Sequence, residues 1–440
     1  MSDLIRPRTL KGFRDFLPEA AIPREAVIAT ALEVYRNYGY SPIDTPVLEY
    51  ADILLGKGSD ETDKQTYRFT DHGGRDVAMR FDLTVPFARF AAQHIGVLGT
   101  PFKRYHVGPV WRGENTQRGR YREFVQFDFD IIGTESSLAD IETILVAHDV
   151  FAALGFERFS VRVNDRRVLN GLLEKFGLDG AAVAVLRALD KLPKVGPDGV
   201  RRELAAAGAD DAAVAAIMSL VGITGSNREV VTQLREMMAD SPTAMAGVEG
   251  LHALAEAVAA LGIDEARVHI DLSIARGLDY YTGMVFETFL DDLPEIGSCC
   301  SGGRYADLAS LYTKQRLPGV GGSLGVDRLL AAMDELGLVD GRATWAPVLV
   351  TVFDDEGRLH ALRLAGELRA AGIGAEVFPD TKRLGAQLKY ADRRGHRLVV
   401  IAGPDERTAG QVQIKDLAAG TSQSIDEGDF VAAVGAWLEA

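Results

Sequence analysis

Two cysteines in 440 residues, adjacent at Cys299 and Cys300, give no CxxC pair and no disulfide framework. That argues against both a structural zinc site and a stapled secreted fold, and it leaves the pair as buried small residues. No stretch approaches the roughly 18 uncharged apolar residues that a bilayer span needs. The N-terminal MSDLIRPRTLKGFRDF has no apolar signal core. The expectation is a cytoplasmic protein with no membrane partner. Also missing are a GxxxxGK[ST] loop and a strand-borne GxGxxG with a following acidic residue. Any nucleotide is therefore bound by another design. Internal repeats and low-complexity tracts are absent as well.

What is present is an ordinary globular composition, 47% hydrophobic and 25% charged, on a chain long enough for about three domains. The net charge of −15 speaks against a partner held by bulk positive charge. Two segments run the other way. Phe102 to Arg122 carries six basic residues against Glu114 alone, and Lys382 to Arg397 carries six against Asp392. Such islands suit phosphate contacts, although solvated surface charge explains an arbitrary basic run equally well.

Apolar spacing over Glu25 to Tyr38 predicts a helix stopped by Gly39, and Pro42 and Pro46 then impose an extended run. Short strands follow at Tyr67 to Thr70, Val77 to Arg80, Phe102 to Trp111 and Phe124 to Ile132. In the last of these, alternation sends Phe124, Gln126, Asp128 and Asp130 to one face and Val125, Phe127 and Phe129 to the other. A strand with one polar face floors a site. Residues 168–264 turn rich in Ala, Leu, Val, Glu and Arg and read as a helical insertion of five or six helices. Strand signals resume at Val268 to Ile274 and around Met284 to Phe289; Pro318 to Gly322 reads as a Gly-rich turn leading into a helix over Val326 to Leu336. After a linker at 336–346, alternating apolar runs and helical patterns over 347–440 predict an α/β domain with a mostly parallel sheet.

The most chemistry-laden stretch is WRGENTQRGRYREFVQFDFD. Arg112 suits a two-pronged bond to phosphate, Glu114 lies on the same strand face and suits a base amino group, and Phe124 offers a stacking surface. Taken alone, this pattern also fits a surface salt-bridge ladder.

That hairpin, together with ARGLDYYTG at Ala275 to Gly283, GGRY at Gly302 to Tyr305 and GVGGSLGVDRL at Gly319 to Leu329, resembles the histidyl-tRNA synthetases, a family of class II aminoacyl-tRNA synthetases. RGLDYYTG is the most specific of these segments, and the resemblance covers essentially the whole chain. It implies an α+β catalytic domain, an antiparallel sheet flanked by helices, over 1–167 and 265–335. The insertion at 168–264 is then a clasp for the tRNA acceptor arm, and 347–440 an anticodon-binding α/β domain. It implies ATP and Mg²⁺, L-histidine and tRNA(His), and a homodimer that uses the first helix and the strand near Pro46. Carried over by position, Arg112 grips the α-phosphate and Glu114 reads adenine. Phe124 and Arg328 sandwich the ring, and Gly321 and Gly325 allow close backbone approach to ATP. Arg276 stands as a second catalytic cation beside the α-phosphate, where relatives in the class use a metal ion. Asp82, Thr84 and Gln126 surround the α-ammonium; Asp130, Tyr281 and Tyr305 belong to the imidazole side. Tyr280 is expected to turn into the core, since neighbours on a strand point oppositely. Many bacterial members carry Glu after a Gln-Leu-Gly run where this chain has QFDFD, closer to the eukaryotic or archaeal pattern. The rival reading is a non-catalytic paralogue that serves as regulatory subunit of an ATP phosphoribosyltransferase.

Overall fold

In the computed structural model, residues 4–55, 60–116, 121–274, 280–306, 308–339 and 341–439 are described. The chain divides into two compact units, Met1–Arg14 with Val27–Leu338, and Asp15–Ala26 with Val339–Ala440. The first unit carries a mixed sheet with helices, and the second is an α/β unit.

The first unit is built on an eight-stranded sheet. Its centre is antiparallel: Phe102–Trp111, Glu123–Ile132, Gly319–Gly325, Cys300–Tyr305, Tyr281–Leu290 and Phe159–Asp165 lie side by side in that order. A short parallel strand closes each edge, Ser41–Pro42 and Val268–Ile270. The two ten-residue strands Phe102–Trp111 and Glu123–Ile132 form a long hairpin. Their apolar face packs against the helix Pro18–Asn37, where the Tyr35 ring sits 4.7 Å from Phe127 and 4.9 Å from Phe129. The helix Ser137–Ala153 follows, started by the Ser136 hydroxyl accepting from the Leu138 amide. A three-stranded antiparallel sheet of Leu48–Tyr50, Asp76–Met79 and Arg68–Thr70 stands apart from the large one.

Six helices occupy Arg166–Lys175 through Pro242–Ala260. One of them opens with a reciprocal cap in which the Ser226 hydroxyl accepts from the Glu229 amide and the Glu229 carboxylate accepts from the Ser226 amide.

Two expectations need correction. Pro318 to Gly322 is not a turn: Gly319–Gly325 is a central strand between Glu123–Ile132 and Cys300–Tyr305. Glycine normally weakens a strand interior, but here side chains of neighbouring strands occupy the space. A Cβ on Gly322 would meet Phe286 at 2.7 Å and Phe129 at 2.8 Å. The sheet of the second unit is also not mostly parallel. Val348–Val350 pairs in parallel with Ala375–Val377 and Leu398–Ile401, but a hairpin of Gln411–Asp416 and Ser422–Asp426 adds two antiparallel pairings.

Candidate active site

Alternation along Glu123–Ile132 divides that strand as expected at most positions, but Val125 also lines the cavity and Asp128 does not. Phe127 and Phe129 are fully buried in the core under Tyr35, while Phe124, Gln126 and Asp130 line a cavity of about 420 Å³ on the other face. All twelve described candidates line it: Asp82, Thr84, Arg112, Glu114, Phe124, Gln126, Asp130, Tyr281, Tyr305, Gly321, Gly325 and Arg328. They come from stretches as far apart as residues 82 and 328. Arg276 lies outside the described residues.

At one part of the wall, Arg112 follows directly on the strand Phe102–Trp111. Its Nε donates to the Phe81 carbonyl at 3.2 Å, and its guanidinium carbon lies 4.4 Å from the Phe81 ring centre and 4.9 Å from that of Phe124. Two aromatic faces and one carbonyl thus fix the plane of the fork and leave donors for an anion. Burial lowers the Arg112 pKa, while the Asp82 and Glu114 carboxylates oppose the shift. The Arg122 Nε donates to the Glu114 carbonyl at 3.2 Å, tying the outgoing and return arms of the hairpin together. Arg328 stands in the first turn of the helix Val326–Glu335, and its Nη1 donates to the Ser298 carbonyl at 2.5 Å.

Elsewhere on the wall the chemistry is that of buried carboxylates. The Asp130 Oδ1 accepts from the Tyr305 hydroxyl at 2.8 Å, and its Oδ2 lies 2.6 Å from the Arg104 guanidinium. A carboxylate has about four lone-pair sites, so acceptor capacity remains. Burial raises the Asp130 pKa, with Arg104 and the Tyr305 hydroxyl pulling it back. The Asp82 Oδ1 accepts from the Val85 amide at 3.0 Å at the entrance to the helix Thr84–Leu98. The Gln126 Nε2 donates to the Ser323 hydroxyl at 3.1 Å.

Several features were not legible from the sequence. Arg104 counted as one charge in a basic island, yet it is fully shielded from solvent and spent on Asp130, its partner across the hairpin. Lys103 in the same island pairs with Glu142, and Arg118 and Arg120 lie outside the described residues. Tyr280 does not turn away: it lines the cavity beside Tyr281, their rings 5.0 Å apart at 70°. The strand begins only at Tyr281, so strand alternation does not govern the residue before it. Gly321 answers a neighbour within the protein, since a Cβ there would come within 2.1 Å of the Asp130 Oδ1. Cys299 and Cys300 are buried, as expected, and both line the cavity wall.

Residues 12–329 match the family model for histidyl-tRNA synthetase, nearly three quarters of the chain. The chain belongs to the histidyl-tRNA synthetase family. Residues 348–437 match a second model, an anticodon binding domain. A histidine--tRNA ligase of Rhodopirellula baltica is 55% identical, over 96% of this chain and 96% of its own length. One from Wolinella succinogenes is 46% identical over 95% of each. Among solved structures, the histidyl-tRNA synthetase of Nostoc sp. PCC 7120 superposes with a TM-score of 0.89 at 32% identity, covering 98% of this chain and 99% of that one. Among the described residues, no group of three or more His, Cys, Asp or Glu side chains is placed to hold a metal ion, and no helix is long and apolar enough to cross a membrane.

Proposed function

We propose that this histidyl-tRNA synthetase family member ligates L-histidine to tRNA(His) in two steps, through histidyl-adenylate. The observation that carries this reading is the meeting, in one cavity, of the Arg112 fork and its aromatic platforms with the Asp130–Tyr305 and Tyr281 groups. The first set suits a triphosphate and its base. The second suits a ring with one N–H donor and one lone pair.

In this reading ATP enters as its Mg²⁺ complex; the ion would neutralise phosphate charge while keeping its own waters, and would need few protein ligands. Arg112 binds the α-phosphate; Glu114 accepts from the adenine amino group, and Phe124 and Arg328 flank the ring. Gly321 and Gly325 leave the glycine strand thin beside the nucleotide. Asp82, Thr84 and Gln126 hold the α-ammonium of histidine, so that its carboxylate faces the α-phosphorus. Asp130 accepts the imidazole N–H, the Tyr281 hydroxyl serves the other ring nitrogen, and Tyr305 orients Asp130. The carboxylate oxygen bonds to the α-phosphorus as pyrophosphate leaves. A ribose hydroxyl of the tRNA then attacks the acyl carbon and AMP departs. A guanidinium aimed at the α-phosphate stabilises charge as it develops, and Arg276 is assigned as the second such cation on the sequence pattern alone.

Buried partners on both sides of the ring reject isosteres that lack its donor or acceptor, by roughly 10⁴ or more in favourable cases, so no editing site is needed. The insertion at 168–264 is read as the acceptor-arm clasp. The unit over 347–440, with exposed Lys382, Arg383, Lys389 and Arg393, is read as the anticodon contact. Exposed Val47, Leu48 and Tyr50 beside Pro46 support a homodimer interface there. The cytoplasm is the compartment this reading requires.

The rival reading as a regulatory subunit has a fold-level neighbour, a Bacillus halodurans C protein described as an ATP phosphoribosyltransferase regulatory subunit/histidyl-tRNA synthetase. At 24% identity and a TM-score of 0.74 it speaks to fold alone. The retention of Arg112, Glu114 and Arg328 on the cavity wall favours the ligase. Aminoacylation with purified tRNA(His) decides the matter: charging with histidine is expected, and histidine binding without charging would favour the regulator. Arg276→Ala is expected to fold and lose histidine-dependent pyrophosphate exchange; near wild-type exchange would remove that residue from the mechanism.

A further inference from the structure

Asp128 sits between Gln126 and Asp130 on the site face of its strand but does not itself line the cavity. Its residue is 1% exposed. Thr84 and Ser323, which do line the cavity, adjoin it: its Oδ2 lies 3.5 Å from the Thr84 hydroxyl, and Ser323 is its partner across the sheet. Among the described residues, its Oδ1 takes no hydrogen bond. The contrast with Asp130 is sharp. Two residues apart on one strand, Asp130 has a guanidinium at 2.6 Å and a phenol at 2.8 Å, whereas Asp128 has no ion pair among the described residues.

Among the described residues, the cations around it have other partners. Arg104, from Phe102–Trp111, is taken by Asp130. Arg80 gives its Nη1 to the Thr45 carbonyl at 2.7 Å and its Nε to the Pro109 carbonyl at 2.9 Å, and Arg112 is held by the Phe81 carbonyl. Asp82 and Asp130 add negative charge. His106 faces Asp128 across the hairpin and is held down to about 4 by burial and by Arg104 and Arg80, hence neutral. Tyr281 on the cavity side, and Tyr35 and Cys300 on elements packed nearby, are pushed up, first by burial, and stay neutral too. Burial raises the Asp128 carboxyl to about 7, with Asp130 and Asp82 adding to the rise and Arg104 and Ser323 opposing it.

We propose that Asp128 is a positioning residue that holds a proton while the amino-acid slot is empty and releases it to solvent when the substrate's α-ammonium docks beside Thr84 and Gln126. The proton leaves the carboxyl oxygen for buffer, and the resulting carboxylate orients the Thr84 and Ser323 hydroxyls toward the incoming cation. Histidine affinity is thereby coupled to pH through a group the ligand does not touch. This rests on the amino-acid reading of the slot given above.

The test is calorimetric titration of the full chain with L-histidine in buffers of different ionisation enthalpy, for wild type and Asp128→Asn. Titration of the ligand itself cancels in the comparison. Wild type is expected to release about half a proton more than Asp128→Asn near pH 7, and its histidine KM in pyrophosphate exchange is expected to rise about ten-fold more than the variant's between pH 8 and pH 6. Equal proton counts and parallel KM profiles would overturn the proposal. A second readout needs no variant: infrared difference spectra of wild type with and without histidine are expected to lose a protonated-carboxyl stretch, and a spectrum lacking that loss would also overturn it. Absence of histidine binding in wild type would instead sink the reading of the slot itself.

Discussion

Arg104→Met removes the cation that neutralises Asp130 while keeping the length and apolar body of the side chain. Arg104 is fully buried and Asp130 nearly so, and 2.6 Å separates their charged atoms. The orphaned Oδ2 is buried, so in the variant the carboxylate is expected to take up a proton. Holding that proton costs about 1.4 kcal/mol for each pH unit above the ordinary carboxylate value of about 4. That sets an upper bound of about 2 kcal/mol at pH 5.5 and about 5.5 kcal/mol at pH 8, the scale on which broken buried pairs are known to destabilise. The sign follows from linkage: between the unfolded and the raised folded value, the native variant binds more protons than the unfolded chain, so its stability falls as pH rises. Urea titrations at pH 5.5 and pH 8, followed by hydrogen exchange in peptides covering residues 123–132, read this unit directly. The variant is expected to lose clearly more stability at the higher pH. Adding Asp130→Asn, which removes the charge and keeps a hydrogen-bonding group for Tyr305, is expected to recover much of the loss at pH 8 and abolish its pH dependence. A loss of under about 1 kcal/mol at pH 8, or one of equal size at both pH values, would refute the claim that Arg104 serves to neutralise Asp130.

Other consequences are simpler to measure. Tyr281→Phe is expected to raise the KM for histidine about ten-fold with kcat little changed, because a buried polar partner of the ring is lost; an unchanged KM would place the ring elsewhere. Arg112→Ala is expected to slow pyrophosphate exchange by about 10² to 10³, the usual cost of removing one charge-stabilising donor, with histidine binding retained. Exchange near the wild-type rate would remove Arg112 from the phosphate site. Gly321→Ala puts a Cβ 2.1 Å from the Asp130 Oδ1 and 2.5 Å from the Phe129 carbonyl. It is expected to cost about 1 to 3 kcal/mol of stability and weaken histidine binding, and wild-type stability together with wild-type affinity would show that Asp130 is free to move.

Local rules carried the sequence reading where the decisive force acts along one element. Alternation over Phe124 to Asp130 placed Phe124, Gln126 and Asp130 toward the site and Phe127 and Phe129 in the core, because successive residues of a strand point to opposite faces; Val125 on the cavity wall and the covered Asp128 depart from it. The end of the first helix near Gly39 was equally legible, since apolar spacing and a left-handed glycine are local properties. The residues of the RxE hairpin, RGLDYYTG and GGRY marked the family before any coordinate was needed.

Register across distant strands was a different matter. Nothing within residues 102–122 says that Arg104 is buried; that follows from its standing opposite Asp130, in a hairpin whose site face also packs on Phe87, with the guanidinium carbon 4.3 Å from that ring. The glycines of Gly319–Gly325 looked like a turn because glycine usually ends a strand. Only the fold shows the Asp130 carboxylate and the Phe129 and Phe286 rings filling the places where their side chains would be. The C-terminal hairpin Gln411–Asp416 and Ser422–Asp426 escaped because few of its residues are strongly apolar and its second strand is largely exposed. Sequence thus determined the chemical groups and the direction each takes from its own element. The tertiary structure decided which of them share a low-dielectric space, and so which of two like carboxylates, Asp128 and Asp130, stands beside a cation.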